Sequence, residues 1–119
     1  MNSWHFESFG SGTHIVKSVD ANYPYCYVYA DNRRDVCIDL ENWLNHAKIP
    51  EWANTLKVSD HGEDYLVGDF GISITIIGPM VLPPNDDGRL NWQTCPSENS
   101  KKLRRQLRDR LLNIDGRYY

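Results

Sequence analysis

The chain has 119 residues, 40% of them apolar and 24% charged, and a formal net charge of −3. That length supports one packed core with little left for a second, and the composition excludes wholesale disorder. No apolar run approaches the ~20 residues that cross a bilayer as a helix. The stretch Met1–Phe6 has neither a basic nor an apolar leader region, so a cytoplasmic location is expected.

Taken in order, Trp4, Phe6 and Ser8 alternate with His5 and Glu7 and predict a first strand. Gly10-Ser11-Gly12 is a turn signal, and His14–Val19 returns as a second strand. Tyr25–Ala30 reads as a third by its aromatic and β-branched content, with Asp31–Asp35 as a turn and Val36-Cys37-Ile38 as its hairpin partner. A turn centred on Arg33 would place Val28 opposite Ile38 and set Cys26 and Cys37 on opposite faces. It would also put Tyr25, Tyr27 and Tyr29 in one row.

Asp39 is a suitable N-cap for a short helix over residues 39–48, whose apolar stripe is Leu40, Trp43, Leu44 and Ala47. Pro50 ends it and opens a short turn carrying Trp52. Thr55–Ser59 is expected as a strand with Leu56 and Val58 inward, followed by the charged loop Asp60–Asp64 and a strand from Tyr65.

The strongest strand signal is Phe70–Gly78. Phe70, Ile72, Ile74 and Ile76 share one face, and Ser73, Thr75 and Ile77 the other, as a central buried strand requires. Gly68 and Gly71 mark a bend before it. The prolines and Asp86-Asp87-Gly88 make a loop after it, and Leu90–Thr94 is a possible short strand. A C-terminal amphipathic helix over 98–114, capped by Ser97 or Ser100, has the stripe Leu103, Leu107, Leu111 and Ile114, with Gly116 as its stop. The fold class expected is α+β: a single domain with a mainly antiparallel sheet and both helices packed on it.

Charge is segregated. Residues 1–99 hold six basic and fourteen acidic side chains, whereas residues 100–119 hold seven basic and two acidic. An acidic body with a basic terminal helix speaks to partners rather than fold. Three cysteines without CxxC spacing point to reduced thiols. The four histidines show no metal-ligand spacing, and no cofactor motif is present. Cys37 with His14 or His46 as base is the one nucleophile arrangement to consider.

Three functional readings follow. The first is a non-catalytic, cytosolic module that docks on a larger protein, in the manner of inhibitors, virus-encoded or otherwise, and of immunity-type proteins. Its contact residues would be Lys101, Arg104, Arg105 and Arg108 on the basic helix, or Tyr25, Tyr27 and Tyr29 on the tyrosine-rich strand. The second is a small hydrolase-like enzyme drawing on Asp60, His61, Glu63 and Asp64, where three carboxylates and an imidazole could serve general acid–base chemistry. The third is nucleic-acid binding through the basic helix. The acidic body and the lack of aromatic residues within Lys101–Arg110 oppose it.

Overall fold

The computed structural model describes residues 3–8, 12–20, 22–23, 26–30, 33–78 and 98–113. Six strands, β1 (Trp4–Ser8), β2 (His14–Ser18), β3 (Tyr27–Tyr29), β4 (Lys57–Ser59), β5 (Gly62–Val67) and β6 (Ser73–Ile77), form one sheet in the order β1-β2-β3-β6-β5-β4. Every neighbouring pair is antiparallel. Helix α1 (Arg34–His46) follows β3, and α2 (Glu98–Leu112) follows β6. The fold is therefore α+β, as the patterning predicts.

Register explains the core. Residues opposite each other across a ladder share a face. Phe6, Val16, Val28 and Ile76 make one inward row, and Leu66 with Ile74 another. Against these rows α1 sets Val36, Cys37, Leu40, Trp43 and Leu44, and α2 sets Leu103, Leu107 and Leu111, all buried. Each fully buried leucine contributes ~1.5–3 kcal/mol of transfer free energy. On the other face lie Ile15, Tyr27 and Ile77, which form a smaller buried cluster with Tyr29 against it.

Several expectations are corrected. Val36-Cys37-Ile38 is not a strand paired with β3, because α1 begins at Arg34 and carries on to His46 rather than running over 39–48. The buried set Val36, Cys37, Leu40, Trp43 and Leu44 is helical in spacing. That period, longer than the β-branched pair is wide, decides the conformation. Cys26 and Cys37 accordingly share the helix-side core, and both are free thiols. Asp39 is no N-cap, and its Oδ2 accepts a hydrogen bond from the Trp52 indole at 2.9 Å. The helix ends on Ala47, left-handed at φ 54°, whose N–H reaches the Trp43 carbonyl at 2.9 Å.

Residues 51–55 form a 3-10 turn, and β4 starts only at Lys57. Leu56 packs on the core, but Val58 is 41% exposed on a strand whose register shifts at Val58/Ser59. The central strand covers residues 73–77 with Ile72, Ile74 and Ile76 buried as expected, whereas Phe70 lies outside it. Strand β6 ends at Ile77, and at the next residue, Gly78, a Cβ would meet the Cys26 Cα at 2.7 Å, so the close approach of the two backbones just beyond the β3–β6 ladder admits only glycine. Ser100, a candidate cap, sits buried inside α2 and donates to the Gly78 carbonyl. The segment 79–97, with its expected loop and the strand 90–94, and residues 114–119, with Ile114 and Gly116, lie outside the described residues.

The two sheet edges are blunted differently. On β1, Asn45 Oδ1 accepts from Trp4 N at 3.0 Å, Asn45 Nδ2 donates to Trp4 O at 2.8 Å, and Glu41 Oε2 accepts from Phe6 N at 2.7 Å. Side chains of α1 thus occupy ladder positions that a neighbouring strand would otherwise take. At β4 the edge is only three residues long, shifted in register and led by Lys57, which are familiar defences against edge pairing. Asn45→Ala should cost about 1–3 kcal/mol by stranding both backbone polar groups of Trp4, and Glu41→Ala a similar amount by stranding the Phe6 N–H. Urea denaturation with an unchanged m-value checks both.

Candidate functional site

The basic helix meets the acidic hairpin. Strand β5 begins at Gly62 rather than at Tyr65, so Glu63 and Asp64 of the expected loop lie on it, and α2 brings Arg104 and Arg108 alongside them, each one residue past a buried leucine. Arg104 Nε lies 3.3 Å from Asp64 Oδ2, and Arg108 Nη1 lies 3.2 Å from Glu63 Oε2. Arg108 also holds Asp109, through Nη2 at 2.8 Å and Nε at 3.0 Å, and this contact above all raises its pKa. The Arg104 Nε is buried and makes a charge contact with Asp64 that lacks hydrogen-bond geometry. Arg110 Nη2 donates to the Leu44 carbonyl at 2.8 Å, at the end of α1 where carbonyls lack helical partners and the dipole is negative.

Much of the basic face is therefore committed within the protein. Lys101 keeps only a 3.8 Å contact with exposed Glu98, and Lys102 and Arg105 are exposed. Lys101, Arg104 and Arg105 line a shallow cleft of about 260 Å³ with Glu63 and Asp64.

The charged loop itself divides. Asp60 and His61 are the two exposed residues of the β4–β5 turn, since Ser59 pairs with Gly62. They border a different cleft of about 250 Å³ with Lys57, Val58, Ser59 and Val67. The His61 ring stands edge-on to Tyr65, with centroids 5.9 Å apart. Among the described residues no three His, Cys, Asp or Glu side chains gather as metal ligands would.

Of the tyrosine row, Tyr27 is buried at 4% exposure and Tyr29 is half-buried, both on the face away from the helices. Tyr25 lies outside the described residues. Cys37 Sγ donates to the backbone carbonyl of His14 at 3.5 Å rather than to its ring. The His14 ring stacks on Phe6 and bonds Ser8. Burial pushes the thiols of Cys26 and Cys37 up to about 11 each, with Arg104 partly opposing this at Cys26 and the Ala30 backbone at Cys37. Such thiols are protonated at neutral pH and are poor nucleophiles.

The residue that sequence reasoning misplaced is the most exposed apolar side chain among the described residues. Phe70, expected to face inward on the central strand, is 81% exposed at the tip of the β5–β6 turn. It adopts φ 64° and Gly71 φ 71°. With Ile72 N–H donating to Asp69 O at 3.3 Å, these are the φ values of a type I′ hairpin turn, which favours Asn-Gly in its two central places. A non-glycine residue in this region costs roughly 1–2 kcal/mol. The turn is tied from outside at two points. Thr55 Oγ1 accepts from Asp69 N at 2.9 Å, and Arg33 Nη1 donates to Phe70 O at 3.2 Å. Arg33 also grips Asp35, through Nε at 3.2 Å and Nη2 at 3.0 Å, and this holds the Asp35 carboxyl below its usual range. The one sequence signal was Gly71, which together with Gly68 suggested a bend.

No helix among the described residues is long and apolar enough to cross a membrane.

Two outcomes are expected. Double-mutant denaturation with Arg104→Ala and Asp64→Ala should give a coupling of about 0.5–1 kcal/mol, small because Asp64 is partly solvated. In a Cys95→Ser background, a thiol reagent at pH 8 should label neither Cys26 nor Cys37 in the native chain and both in denaturant. Because unfolded thiols ionise near ~8.5 and the folded ones at about 11, stability should hold below about pH 8.5 and fall as pH rises between those values. Thermal melts from pH 7 to 11 check the sign.

Neither a protein-family model, nor a curated protein, nor a solved structure matches this chain.

Proposed function

We propose that the chain is a non-catalytic protein-binding module that docks on a larger protein, with Phe70 as its anchor. One observation carries this reading. A phenylalanine stands 81% exposed in a left-handed conformation that costs stability, and side-chain packing among the described residues does not offset the cost. Strain of this kind, held in place by bonds from neighbouring elements, clusters at functional sites. An aromatic on a backbone tied in place offers a large apolar area with little backbone entropy left to lose, which suits an interface hot spot.

The surroundings favour a protein over a lipid surface. Asp69 adjoins Phe70 and Asp35 is reached through Arg33, so anionic headgroups would meet carboxylates as well as cations. They also weaken the nucleic-acid reading, because Arg104, Arg108 and Arg110 already have partners within the protein. Lys101, Lys102 and Arg105 remain available as a secondary contact to an acidic part of the target. Inhibitors and immunity-type proteins work in this manner, by occupying a surface of a larger protein.

The test is parallel affinity capture from the source cell with wild-type and Phe70→Asp chains, followed by titration of the purified partner. The expected result is a stoichiometric partner for the wild type and a loss of about 2 kcal/mol or more, roughly 30-fold in Kd, for the variant. Equal capture and equal Kd would remove Phe70 from the interface. Turnover of a small substrate by the purified chain would overturn the non-catalytic reading altogether.

A further inference from the structure

We propose that Arg33 is the positioning residue of the docking turn, holding Phe70 in its left-handed conformation by joining the turn to the start of α1. The functional meaning rests on the docking reading above; the mechanical claim stands on the geometry of the turn.

Arg33 is itself fixed. Its N–H donates to Ala30 O at 2.7 Å, and its carbonyl accepts from Cys37 N at 3.0 Å as the first intrahelical bond of α1. All three guanidinium nitrogens are used: Nε and Nη2 on Asp35, and Nη1 on Phe70 O. A planar fork spans two acceptors on two elements, whereas a lysine ammonium is a single point charge on a flexible stem. The carbonyl it holds is that of the strained residue, 37 positions along the chain.

On the other flank, Thr55 Oγ1 accepts from Asp69 N while donating to Trp52 O at 2.7 Å. A Cβ on Gly68 would lie 2.7 Å from that oxygen, so the turn seats closely against residues 52–55. Gly68 N donates to Ile72 O at 2.9 Å and closes the base of the turn. Thr55 thus fixes where the turn begins, and Arg33 fixes the peptide at its tip. The backbone of Phe70 is held in place as a result, which lowers the backbone share of the entropic cost of docking.

The experiment is a stability cycle that needs no partner. Phe70→Asn supplies the residue that a type I′ turn prefers. Alone it should raise the folding equilibrium constant about fivefold or more, the relief of roughly 1–2 kcal/mol of left-handed strain. In an Arg33→Ala background, where the turn is free to relax, the same change should give less than a twofold rise. Arg33→Lys should behave like Arg33→Ala, because charge without the fork cannot hold both acceptors, and it also serves if the alanine variant folds poorly. The three-bond amide–Hα coupling and Cα shift of Phe70, measured by NMR, should leave their left-handed values in both Arg33 variants.

An equal gain from Phe70→Asn in all three backgrounds, with an unchanged Phe70 coupling, would overturn the assignment. The two readings separate cleanly. A cycle that succeeds while Phe70→Asp still binds its partner refutes docking through Phe70 and leaves the role of Arg33. A cycle that fails while Phe70→Asp loses the partner keeps the anchor and discards its positioner.

Discussion

The pairing of β3 with β6 is the constraint on which the remaining structure depends. Each strand belongs to a set of three followed by a helix, β1-β2-β3-α1 and β4-β5-β6-α2, and the sheet order places the two sets back to back. Val28 opposite Ile76 is where they join, and this register carries the inward row of the first set into the second. Without that junction each half would be a three-stranded sheet with one helix, burying a smaller share of its surface and leaving β3 or β6 as an open edge. The junction also determines what lies on which side. Because both inner strands show the same face to the core, both helices must lie on that face. Gly78 admits the backbone of Cys26, and Ser100 of α2 bonds the Gly78 carbonyl directly above.

Where the sequence was legible follows from how local each signal was. Strands β1, β2 and β6 and helix α2 carry their period within themselves, so alternation or a leucine stripe was sufficient to find them. The start of α1 was not, because Val36, Cys37 and Ile38 satisfy strand propensity over three residues. The helical period is evident only when Val36 is read together with Leu40, Trp43 and Leu44. Phe70 failed for a related reason. It continues the period of Ile72, Ile74 and Ile76, but two consecutive positive φ angles at Phe70 and Gly71 interrupt the strand before the pattern does. The contacts of the basic helix were beyond sequence reasoning in another way. That Arg104 meets Asp64 and Arg108 meets Glu63 depends on a tertiary placement that no spacing encodes.

Among the described residues two non-glycine residues have left-handed backbones, and they show why only one of them supports the docking proposal. Ala47 sits at the end of α1, where its N–H bonds the Trp43 carbonyl and a left-handed residue is the usual way to stop a helix. Its strain is offset in place and has a local structural cause. Phe70 has a turn to make as well, but Asn-Gly would make the same turn at lower cost. What phenylalanine adds over asparagine is apolar area, and that area is in solvent. The turn and the Arg33 bond to its tip account for the backbone of Phe70, and nothing among the described residues accounts for its side chain.

The treatment of the sheet edges strengthens that distinction. A small antiparallel sheet has two natural places to bind another chain, its outer strands, and here neither is offered freely. Asn45 and Glu41 fill the β1 ladder, and β4 is short, shifted in register and led by a lysine. Backbone pairing at an edge is tolerant of sequence, so closing both edges suppresses indiscriminate association. Recognition is then left to side chains, where shape and chemistry discriminate. Among the described residues the exposed large apolar side chains are Val19, Ile49, Val58 and Phe70, and of these only Phe70 combines near-complete exposure with a turn tied at two outside points. With both edges closed and one aromatic exposed on a tied turn, the docking role proposed above assigns selectivity to the turn rather than to the sheet.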